Sequence, residues 1–380
     1  MMLAPFALER FFAAHEFTTP HILCASDCEP LTLTETLALA TPETLVMWRE
    51  LSLGYTESAG HPLLRAEIAT LYKGLVAGDT LVLAPEEGIY LAMQALLGPG
   101  DHAVCMFPGY QSLYAVAEAR GCEVSRWEPR FMGDRWYFDL DDLRALLRDD
   151  TRLLIVNLPH NPTGALLSLA DWEQLLALCA ARELPLFSDE MYRGLERDPA
   201  ARLPAACVRY ERAITLSGLS KSLSTPGLRL GWLATRDAAL LARCAALKDY
   251  TTICSSAPSE VLALMVLQSR DRLVAANRAL IAANCALLDA FFAAHRDLFL
   301  WPPPQAGSVA FPQYLATGRA GTAGADGADG FCRAAREEAD VLLAPGSLWG
   351  YPRHFRVGLG RRNAPAAIDQ LARWLKESAW

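Results

Sequence analysis

The chain has 380 residues, of which 52% are hydrophobic and 21% charged, and its formal net charge is -8 at pH 7. This length allows one large hydrophobic core and a second, smaller one, so two lobes are expected. The negative charge argues against nucleic-acid binding, which requires a basic surface, and no uninterrupted apolar run approaches the roughly 18 residues of a membrane span. A small-molecule partner is therefore expected.

The first segment, MMLAPFALERFFAAHEF (1–17), predicts an amphipathic helix, since Glu9, Arg10 and Glu16 interrupt its apolar pattern. It lacks the basic start of a signal peptide, so a cytoplasmic location is expected. The ten cysteines include no CxxC pair. In a reducing compartment such cysteines are expected to be small buried residues, with no disulfide and no metal site.

Short apolar runs alternate with helical patterns through the middle of the chain. The runs have the length and composition of strands that are buried on both faces; they are LVLA (81–84), HAVCMF (102–107), LLIVNL (153–158), LPLF (184–187) and AITLS (213–217). This alternation is typical of βαβ units and predicts an α/β fold with a mainly parallel sheet.

Helical periodicity supports the same interpretation. The residues Trp172, Leu175, Leu176 and Cys179 form one apolar face of a helix that follows the third run. The low-complexity stretch TGRAGTAGADGADG (317–330) is expected to be a loop of the second lobe. The C-terminal part returns to regular structure, with HFRVGL (354–359) as a strand and a last helix whose apolar face comprises Ile368, Leu371, Ala372 and Leu375.

Three polar residues follow these predicted strands directly. Asn161 comes after LLIVNLPH, Asp189 after LPLFS, and Lys221 after AITLSGLS. Ligands of open α/β sheets bind beyond the carboxyl ends of the strands. An amine that forms a Schiff base, beside a carboxylate that holds a pyridinium proton, is the pairing required by pyridoxal 5'-phosphate (PLP), which acts as an electron sink.

Four segments carry a resemblance to a known family. In order along the chain, they are NLPHNPTG (157–164), SDEMY (188–192), SGLSKSLSTPGLRLGW (217–232) and FRVGLGR (355–361). Together they resemble the class I/II aminotransferases of PLP fold type I, from about residue 45 to the C-terminus. The resemblance implies a large PLP-binding domain over residues 45–275 and a smaller α+β domain formed by residues 1–44 and 276–380.

The resemblance implies a catalytic role for three residues. Lys221 would form the Schiff base with PLP and transfer a proton through a quinonoid intermediate. Asp189 would pair with the pyridine nitrogen. Tyr192, together with Asn161, would donate a hydrogen bond to the phenolic oxygen of the cofactor.

Other residues would bind the cofactor and the substrate in such an enzyme. Tyr110 would stack on the cofactor ring and Arg229 would bind its phosphate. Arg356 would clamp the substrate α-carboxylate, for which guanidinium geometry is suited. Tyr55 would reach the phosphate of a neighbouring subunit, which implies a homodimer with shared active sites.

Three departures from the family pattern are expected to affect recognition. The phosphate-binding segment reads LAPEEGIY (83–90), in which Pro85 lacks an N–H and Glu86 lies near the phosphate; an outward Glu86 and a register shift at Gly88 are both open. Gly218 replaces a serine of the family, for which any of Ser217, Ser220 and Ser222 is a possible substitute. The segment CASDCE (24–29) replaces a glycine-containing loop, and its Ser26 is expected to contact the substrate.

The sequence leaves the reaction open. Transamination of an α-amino acid, with a 2-oxo acid as acceptor, is the first hypothesis. The HNPTG, SKSLSTPGLRLGW and KDYTT (248–252) segments are also similar to the capreomycidine-synthase type of PLP enzyme, so a cyclase or lyase acting on an arginine-like amino acid is the alternative. The carboxylates considered for a guanidinium are Glu29, Glu86 and Glu196.

The sequence argues against two further hypotheses. A PLP-binding transcription regulator needs a DNA-binding module, but only about 50 residues precede the core pattern and they contain no basic cluster. A general-base role for His160 is unnecessary, because Lys221 supplies that function.

Overall fold

The computed structural model describes residues 3–316 and 327–378. Its strands are, in chain order, β1 (His21–Ile22), β2 (Thr80–Leu83), β3 (His102–Met106), β4 (Glu123–Trp127), β5 (Arg130–Phe131), β6 (Trp136–Tyr137), β7 (Thr151–Asn157), β8 (Leu186–Asp189), β9 (Ala213–Gly218), β10 (Gly231–Thr235), β11 (Phe299–Leu300), β12 (Val309–Ala310), β13 (Gln313–Tyr314), β14 (Val341–Leu342), β15 (Ala344–Pro345) and β16 (Phe355–Gly358).

The α-helices are, in the same order, α1 (Ala7–His15), α2 (Leu33–Leu37), α3 (Pro42–Arg49), α4 (Pro62–Ala69), α5 (Pro85–Leu96), α6 (Ser112–Ala119), α7 (Leu140–Leu146), α8 (Leu169–Ala181), α9 (Ala206–Arg209), α10 (Ala238–Lys248), α11 (Ala257–Gln268), α12 (Arg270–Ala294), α13 (Gly327–Ala339) and α14 (Ala364–Glu377).

A seven-stranded sheet lies at the centre of the fold, in the order β2-β10-β9-β8-β7-β3-β4. The pairs from β9 to β4 are parallel, and β10 is antiparallel to both of its neighbours, β9 and β2. The predicted α/β fold with a mainly parallel sheet is confirmed, with one antiparallel strand.

Both faces of this sheet are buried, as the apolar runs predict. Along β7, Leu153 and Ile155 belong to one hydrophobic cluster, while Leu154 and Val156 belong to a second cluster on the other face. Because successive strand residues point to opposite faces, this alternation indicates that helices cover the sheet on both sides. A rigid two-sided core therefore holds the carboxyl ends of the strands.

The predicted boundaries of one strand are wrong. The run LPLF (184–187) was expected to form it, but β8 begins at Leu186 and continues through Ser188 and Asp189. Pro185 has no N–H for a ladder hydrogen bond, although its carbonyl accepts one from Leu154 N. Asp189 instead pairs with Asn157 in register, which extends the strand into its polar end.

The last part of the chain forms smaller sheets packed with α13 and α14. The three-stranded sheet has the order β12-β16-β15, and β1 near the N-terminus pairs in parallel with β14. The loop predicted for residues 317–330 is wrong at its end, since residues 327–330 begin α13. Residues 317–326 lie outside the described residues.

The helix α12 is long and apolar enough, by length and composition alone, to cross a membrane. A buried helix of a soluble protein passes the same test. Here α12 packs against α14 and contributes Ile281 and Leu288 to the largest hydrophobic cluster. Its apolar residues are thus used in the core of an α/β fold.

The cysteines are free thiols, and all are buried except Cys254, which is half-buried. The expectation of small buried residues is confirmed for the other nine. Burial raises the pKa of thiols such as Cys24 and Cys28 to about 12, so they stay protonated at neutral pH.

Candidate active site

A cavity of about 470 Å³ lies beyond the carboxyl ends of β7, β8 and β9. Asn157 is the last residue of β7 and Asp189 the last of β8, and both line the cavity. Asn161 and Lys221, which follow β7 and β9, line it as well. The three residues predicted from their positions after strands are therefore brought together at the edge where ligands of such sheets bind.

Lys221 lies in the turn that follows β9, and its amine points into the cavity. Its Nζ donates a hydrogen bond to Ser26 Oγ at 2.8 Å and lies 6.0 Å from the centre of the Tyr192 ring. The sequence contains three other lysines. Lys73 and Lys376 are exposed, and the buried Lys248 donates to Ser58 O. Lys221 is thus the one lysine, among the described residues, that lines the cavity.

The Asp189 carboxyl is buried, with 5% of its surface exposed. Burial raises its pKa to about 7, although the backbone N–H of Met191 and the Lys221 cation act in the opposite direction. Oδ1 accepts a hydrogen bond from Met191 N at 3.0 Å. A cationic N–H placed beside this carboxyl would favour its ionised form.

Arg356 is almost fully buried, at 1% exposure, and its guanidinium faces the cavity. It donates from Nε and Nη2 to Cys24 O, at 3.2 and 3.0 Å, and from Nη1 to Asn161 Oδ1 at 3.4 Å. The centres of the aromatic rings of Phe12 and Trp349 lie 5.7 and 5.0 Å, respectively, from the Arg356 carbon Cζ. The described residues provide no carboxylate partner for this buried cation, so it is available for an anionic ligand.

Two predicted tyrosines line the same cavity. The Tyr192 hydroxyl is buried and has no hydrogen-bond partner among the described residues. Tyr110 donates to Glu9 Oε1 at 3.1 Å, and burial, followed by the negative charge of Glu86, raises its pKa. A buried hydroxyl without a partner is costly, which indicates that Tyr192 bonds to a ligand.

The predicted phosphate-binding residues lie on one side of the cavity. Arg229 is exposed, adopts a left-handed conformation with φ of 52°, and lines the cavity. Glu86 also lines it, in the first turn of α5, where burial raises the pKa of its carboxyl. The alternative of an outward Glu86 is therefore wrong.

The structure distinguishes between the serines that could substitute for the family's serine at position 218, and it shows the role of Gly88. Ser220 lines the cavity, whereas Ser217 and Ser222 do not. A Cβ added to Gly88 would lie 2.8 Å from Leu83 Cδ1 and 2.9 Å from Leu216 Cδ1. Gly88 thus allows α5 to pack closely on the sheet and contributes nothing to the cavity wall.

Tyr55 does not line the cavity of its own chain. Its side chain is 91% exposed. Its segment is attached to the loop after α10, since Thr56 Oγ1 donates to Ser255 O at 3.2 Å and Ser58 Oγ donates to Ile253 O at 2.8 Å. The tyrosine is therefore held on the surface by an ordered segment.

Two of the carboxylates considered for a guanidinium lie elsewhere. Glu29 accepts a hydrogen bond from Arg362 N at 2.8 Å, and the buried Glu196 pairs with Arg202 at 2.9 Å. Local partners of the same chain thus satisfy both. His160 is also outside the cavity lining and contacts Thr163 Oγ1 through Nδ1 at 2.7 Å.

Sequence reasoning missed two parts of the wall. Asn157 accepts a hydrogen bond from Asn161 N at 2.8 Å and donates one to Asp189 O at 3.2 Å, so it holds both residues in place. Its signal was a polar residue inside an apolar run. The helix α1 supplies the second part, through Glu9, Phe12 and neighbouring residues. Its periodicity predicted a helix but not what it contacts.

Comparisons with known proteins agree with this geometry. Residues 30–373 match the family model of the aminotransferases of class I and II. Capreomycidine synthase of Streptomyces vinaceus is 33% identical over 305 residues, which cover 79% of this chain and 75% of that protein. Arginine–pyruvate transaminase AruH of Pseudomonas aeruginosa is 34% identical over 186 residues, 47% of each chain.

Solved structures give the same result. A PLP-dependent aminotransferase from Streptococcus suis 89-1591 superposes with a TM-score of 0.90, at 26% identity and 99% coverage of both chains. The PLP-dependent cyclase OrfR superposes with a TM-score of 0.89, at 29% identity, covering 99% of this chain and 98% of its own. The fold is thus PLP fold type I, as expected from the sequence motifs.

The residues of the cavity fit PLP, the cofactor used by this family. The site offers an amine for a Schiff base in Lys221, a buried carboxyl in Asp189, and an unpartnered buried hydroxyl in Tyr192. These groups match an aldehyde, a ring nitrogen and a phenolic oxygen, respectively. The chain belongs to the class I and II aminotransferase family and is a PLP-dependent enzyme.

Proposed function

We propose that the protein is an aminotransferase that acts on an α-amino acid and carries its cofactor on Lys221. The strongest support is the combination, in one cavity, of the Lys221 amine, the buried Asp189 carboxyl and the buried Arg356 guanidinium. Bound PLP supplies an electron sink for the charge that develops at the substrate α-carbon. The preferred substrate is an amino acid, and the acceptor is a 2-oxo acid.

Each of these three residues has a distinct task in this proposal. Lys221 binds the cofactor covalently and, once released, takes the proton from the substrate α-carbon. Asp189 accepts a hydrogen bond from the ring N–H and keeps that nitrogen protonated. Arg356 binds the substrate α-carboxylate through two parallel hydrogen bonds.

The remaining residues hold the cofactor and the substrate. Tyr192 and Asn161 bind the phenolic oxygen, and Tyr110 packs on the ring. Arg229 binds the phosphate, with Glu86 close to it. Ser26, which accepts a hydrogen bond from Lys221, contacts the substrate.

We also propose a homodimer in which Tyr55 reaches the phosphate bound by the partner subunit. The support is its 91% exposure, together with the exposed Leu53 and Tyr250 on segments that contact each other. Exposed large apolar side chains that lie together are typical of an interface.

The division into a domain of residues 45–275 and a domain of residues 1–44 and 276–380 remains part of this proposal. It is supported by the pairing of β1 with β14, which joins the first part of the chain to the last. A cytoplasmic location is proposed as well, because free thiols such as those of the cysteines suit a reducing compartment.

A cyclase or lyase acting on an arginine-like amino acid is the second candidate. It is supported by the similarity to capreomycidine synthase and to the cyclase OrfR. The same lysine and ring-binding residues serve both reactions, so the proposed roles of Lys221 and Asp189 do not distinguish them.

A single-turnover assay tests the choice between the two reactions. The PLP-loaded protein is mixed with single amino acids, including arginine and hydroxyarginine, without an oxo acid, and cofactor and product are identified by mass spectrometry. Pyridoxamine phosphate together with the matching oxo acid supports the aminotransferase. Loss of water or ammonia from the amino acid, with the cofactor still an aldehyde, supports the cyclase or lyase and contradicts the aminotransferase.

A further inference from the structure

One wall of the active-site cavity is an acidic face of α1. Glu9 and Phe12 of α1 line the cavity together with Glu16, the C-cap residue that continues the helical conformation. Their spacing of three and four residues places them on one side of the helix. Glu9 and Glu16 are thus aligned along α1, about 10 Å apart, on either side of Phe12. The Tyr192 hydroxyl, which is assigned to the cofactor, faces the same cavity. The buried Arg356 guanidinium, which has no carboxylate partner among the described residues, also lines the cavity and points to the anionic group of a second ligand.

Neither glutamate is paired with a cation of the described residues, although the positive charges of Arg361 and Lys221 act to lower the pKa of Glu16. In residues 3–316 and 327–378, neither Glu9 nor Glu16 forms an ion pair. Glu9 is exposed and accepts a hydrogen bond from Tyr110, whereas Glu16 is half-buried and its carboxylate accepts none from a described residue. Burial, followed by the negative charge of Asp27, raises the pKa of Glu16.

The nearby Asp27 differs from them, because Arg361 already satisfies it. Arg361 Nη2 donates to both carboxylate oxygens of Asp27, at 3.0 and 2.9 Å. The negative charge that remains free on this wall therefore belongs to Glu9 and Glu16. A carboxylate that is partly removed from water without a partner is costly, and a cationic ligand would remove that cost.

The position of this face relative to Arg356 sets where a substrate side chain meets it. Phe12, which lies between the glutamates on the helix, packs 5.7 Å from the Arg356 guanidinium carbon. An amino acid whose α-carboxylate binds Arg356 therefore lies against α1. Glu9 and Glu16 are the two carboxylates that this wall offers to its side chain.

The helix is also fixed in this position by a polar attachment. Gln111 Oε1 accepts a hydrogen bond from Ala7 N at 2.9 Å, and its Nε2 donates to Pro5 O at 3.0 Å. Gln111 directly follows Tyr110, which itself bonds to Glu9. The acidic face is thus held in register with the ring-binding part of the cavity.

We infer that Glu16, assisted by Glu9, determines the substrate specificity of the enzyme and selects an amino acid whose side chain carries a positive charge. This inference rests on the proposed function, because it takes Arg356 as the site of the α-carboxylate. Glu16 makes the larger contribution, since it is the less exposed of the two and has no hydrogen-bond partner in the described chain.

Calorimetric binding of two unreactive ligands to the PLP-loaded protein tests the inference. The ligands are 5-guanidinopentanoate and 5-ureidopentanoate, which share the carboxylate, lack the amine that reacts with the cofactor, and differ in charge at the far end. The guanidino compound is expected to bind at least about tenfold more tightly. Equal affinities, or no binding of either ligand, would overturn the inference.

Glutamine variants of the two glutamates test which residue produces the preference for the guanidino compound. Glu16→Gln keeps the shape of the side chain and is expected to remove most of the tenfold preference, while Glu9→Gln lowers it about threefold. Glu211→Gln is the matched control, because Glu211 is exposed and precedes β9, at the opposite end of the strand from the cavity. A Glu16→Gln protein with an unchanged preference would also overturn the inference.

Failure of the inference can be distinguished from failure of the proposed function. A protein that processes neutral amino acids in the single-turnover assay, yet binds both ligands equally, retains the proposed function and loses only the selectivity of α1. A protein that neither retains PLP nor processes any amino acid contradicts the proposed function itself.

Discussion

The sheet edge and α1 both line the active-site cavity, but they are held in place in different ways. Asp189 is the last residue of β8, and Lys221 follows β9. Both strands are buried on their two faces, so the core fixes the backbone that carries these residues. The helix α1 contacts the cavity with one face and is attached by the hydrogen bonds of Gln111. The rigid sheet edge suits the chemistry that a whole family shares. The more loosely attached α1 suits the selection of a particular substrate.

The largest expected effect follows from removal of the cofactor-binding amine. Lys221→Ala is expected to lower turnover by at least about 10³-fold, because both covalent binding and proton transfer depend on this amine. The single-turnover rate measures the loss, and circular dichroism shows whether the fold persists. Lys73→Ala, at an exposed position, is the control. Retained turnover in Lys221→Ala would contradict the assignment.

Asp189→Asn tests the electrostatics of the sheet edge in the cofactor-free protein. Burial raises the pKa of Asp189 from 3.8 to about 7. The folded state therefore binds a proton more tightly than the unfolded state, and this residue lowers stability as the pH rises from about 4 to 7. At pH 8 the variant is expected to be more stable than the wild type, by on the order of 4 kcal/mol.

Denaturant unfolding of both cofactor-free proteins at pH 4 and pH 8 measures this difference. The two proteins are expected to have similar free energies of unfolding at pH 4, where the carboxyl is protonated in the folded state and roughly half protonated in the unfolded state. If the wild type has the larger free energy of unfolding at pH 8, the protein stabilises the Asp189 anion even without the cofactor, which would contradict this prediction.

Tyr55→Phe tests whether the active site extends into a second subunit. Removal of one hydroxyl that bonds to a phosphate is expected to raise the Kd for PLP about tenfold. Fluorescence titration with PLP measures the affinity. Tyr250→Phe, on an equally exposed tyrosine of the contacting segment, is the control. An unchanged Kd in Tyr55→Phe would restrict the site to one chain.

The smallest effect is expected at the attachment of α1. Gln111→Ala removes the two hydrogen bonds to Ala7 N and Pro5 O, which are worth about 1 kcal/mol together in a partly exposed position. Hydrogen exchange in α1 is expected to quicken several-fold, while the amides of β8 and β9 keep their protection. Equal changes in both regions would show that α1 belongs to the same cooperative unit as the sheet.

The sequence predicted the sheet and its polar edge because those features are local. Apolar runs of strand length indicate burial on both faces, and the polar residues directly after them lie at the carboxyl edge. Asn161, Asp189 and Lys221 follow from this pattern and line the cavity. The predicted start of β8 was wrong, because the pairing of this strand with β7 determines where it begins and ends, and hydrophobicity alone does not.

The acidic wall could not be predicted, because periodicity gives the face of a helix and not the surface it meets. The contact of Tyr110 with Glu9 joins residues that are 101 positions apart. The same limit explains why Glu196 was considered for a guanidinium. Its actual partner, Arg202, lies six residues away and withdraws it from the cavity.

Borohydride reduction of the PLP-loaded protein, followed by peptide mass spectrometry, tests most directly whether Lys221 carries the cofactor. Reduction turns the Schiff base into a stable amine, which marks the lysine that formed it. The pyridoxyl mass is expected on the peptide that contains Lys221 and on none with Lys73, Lys248 or Lys376. A label on any of those three, or no label at all, would contradict the central role of Lys221.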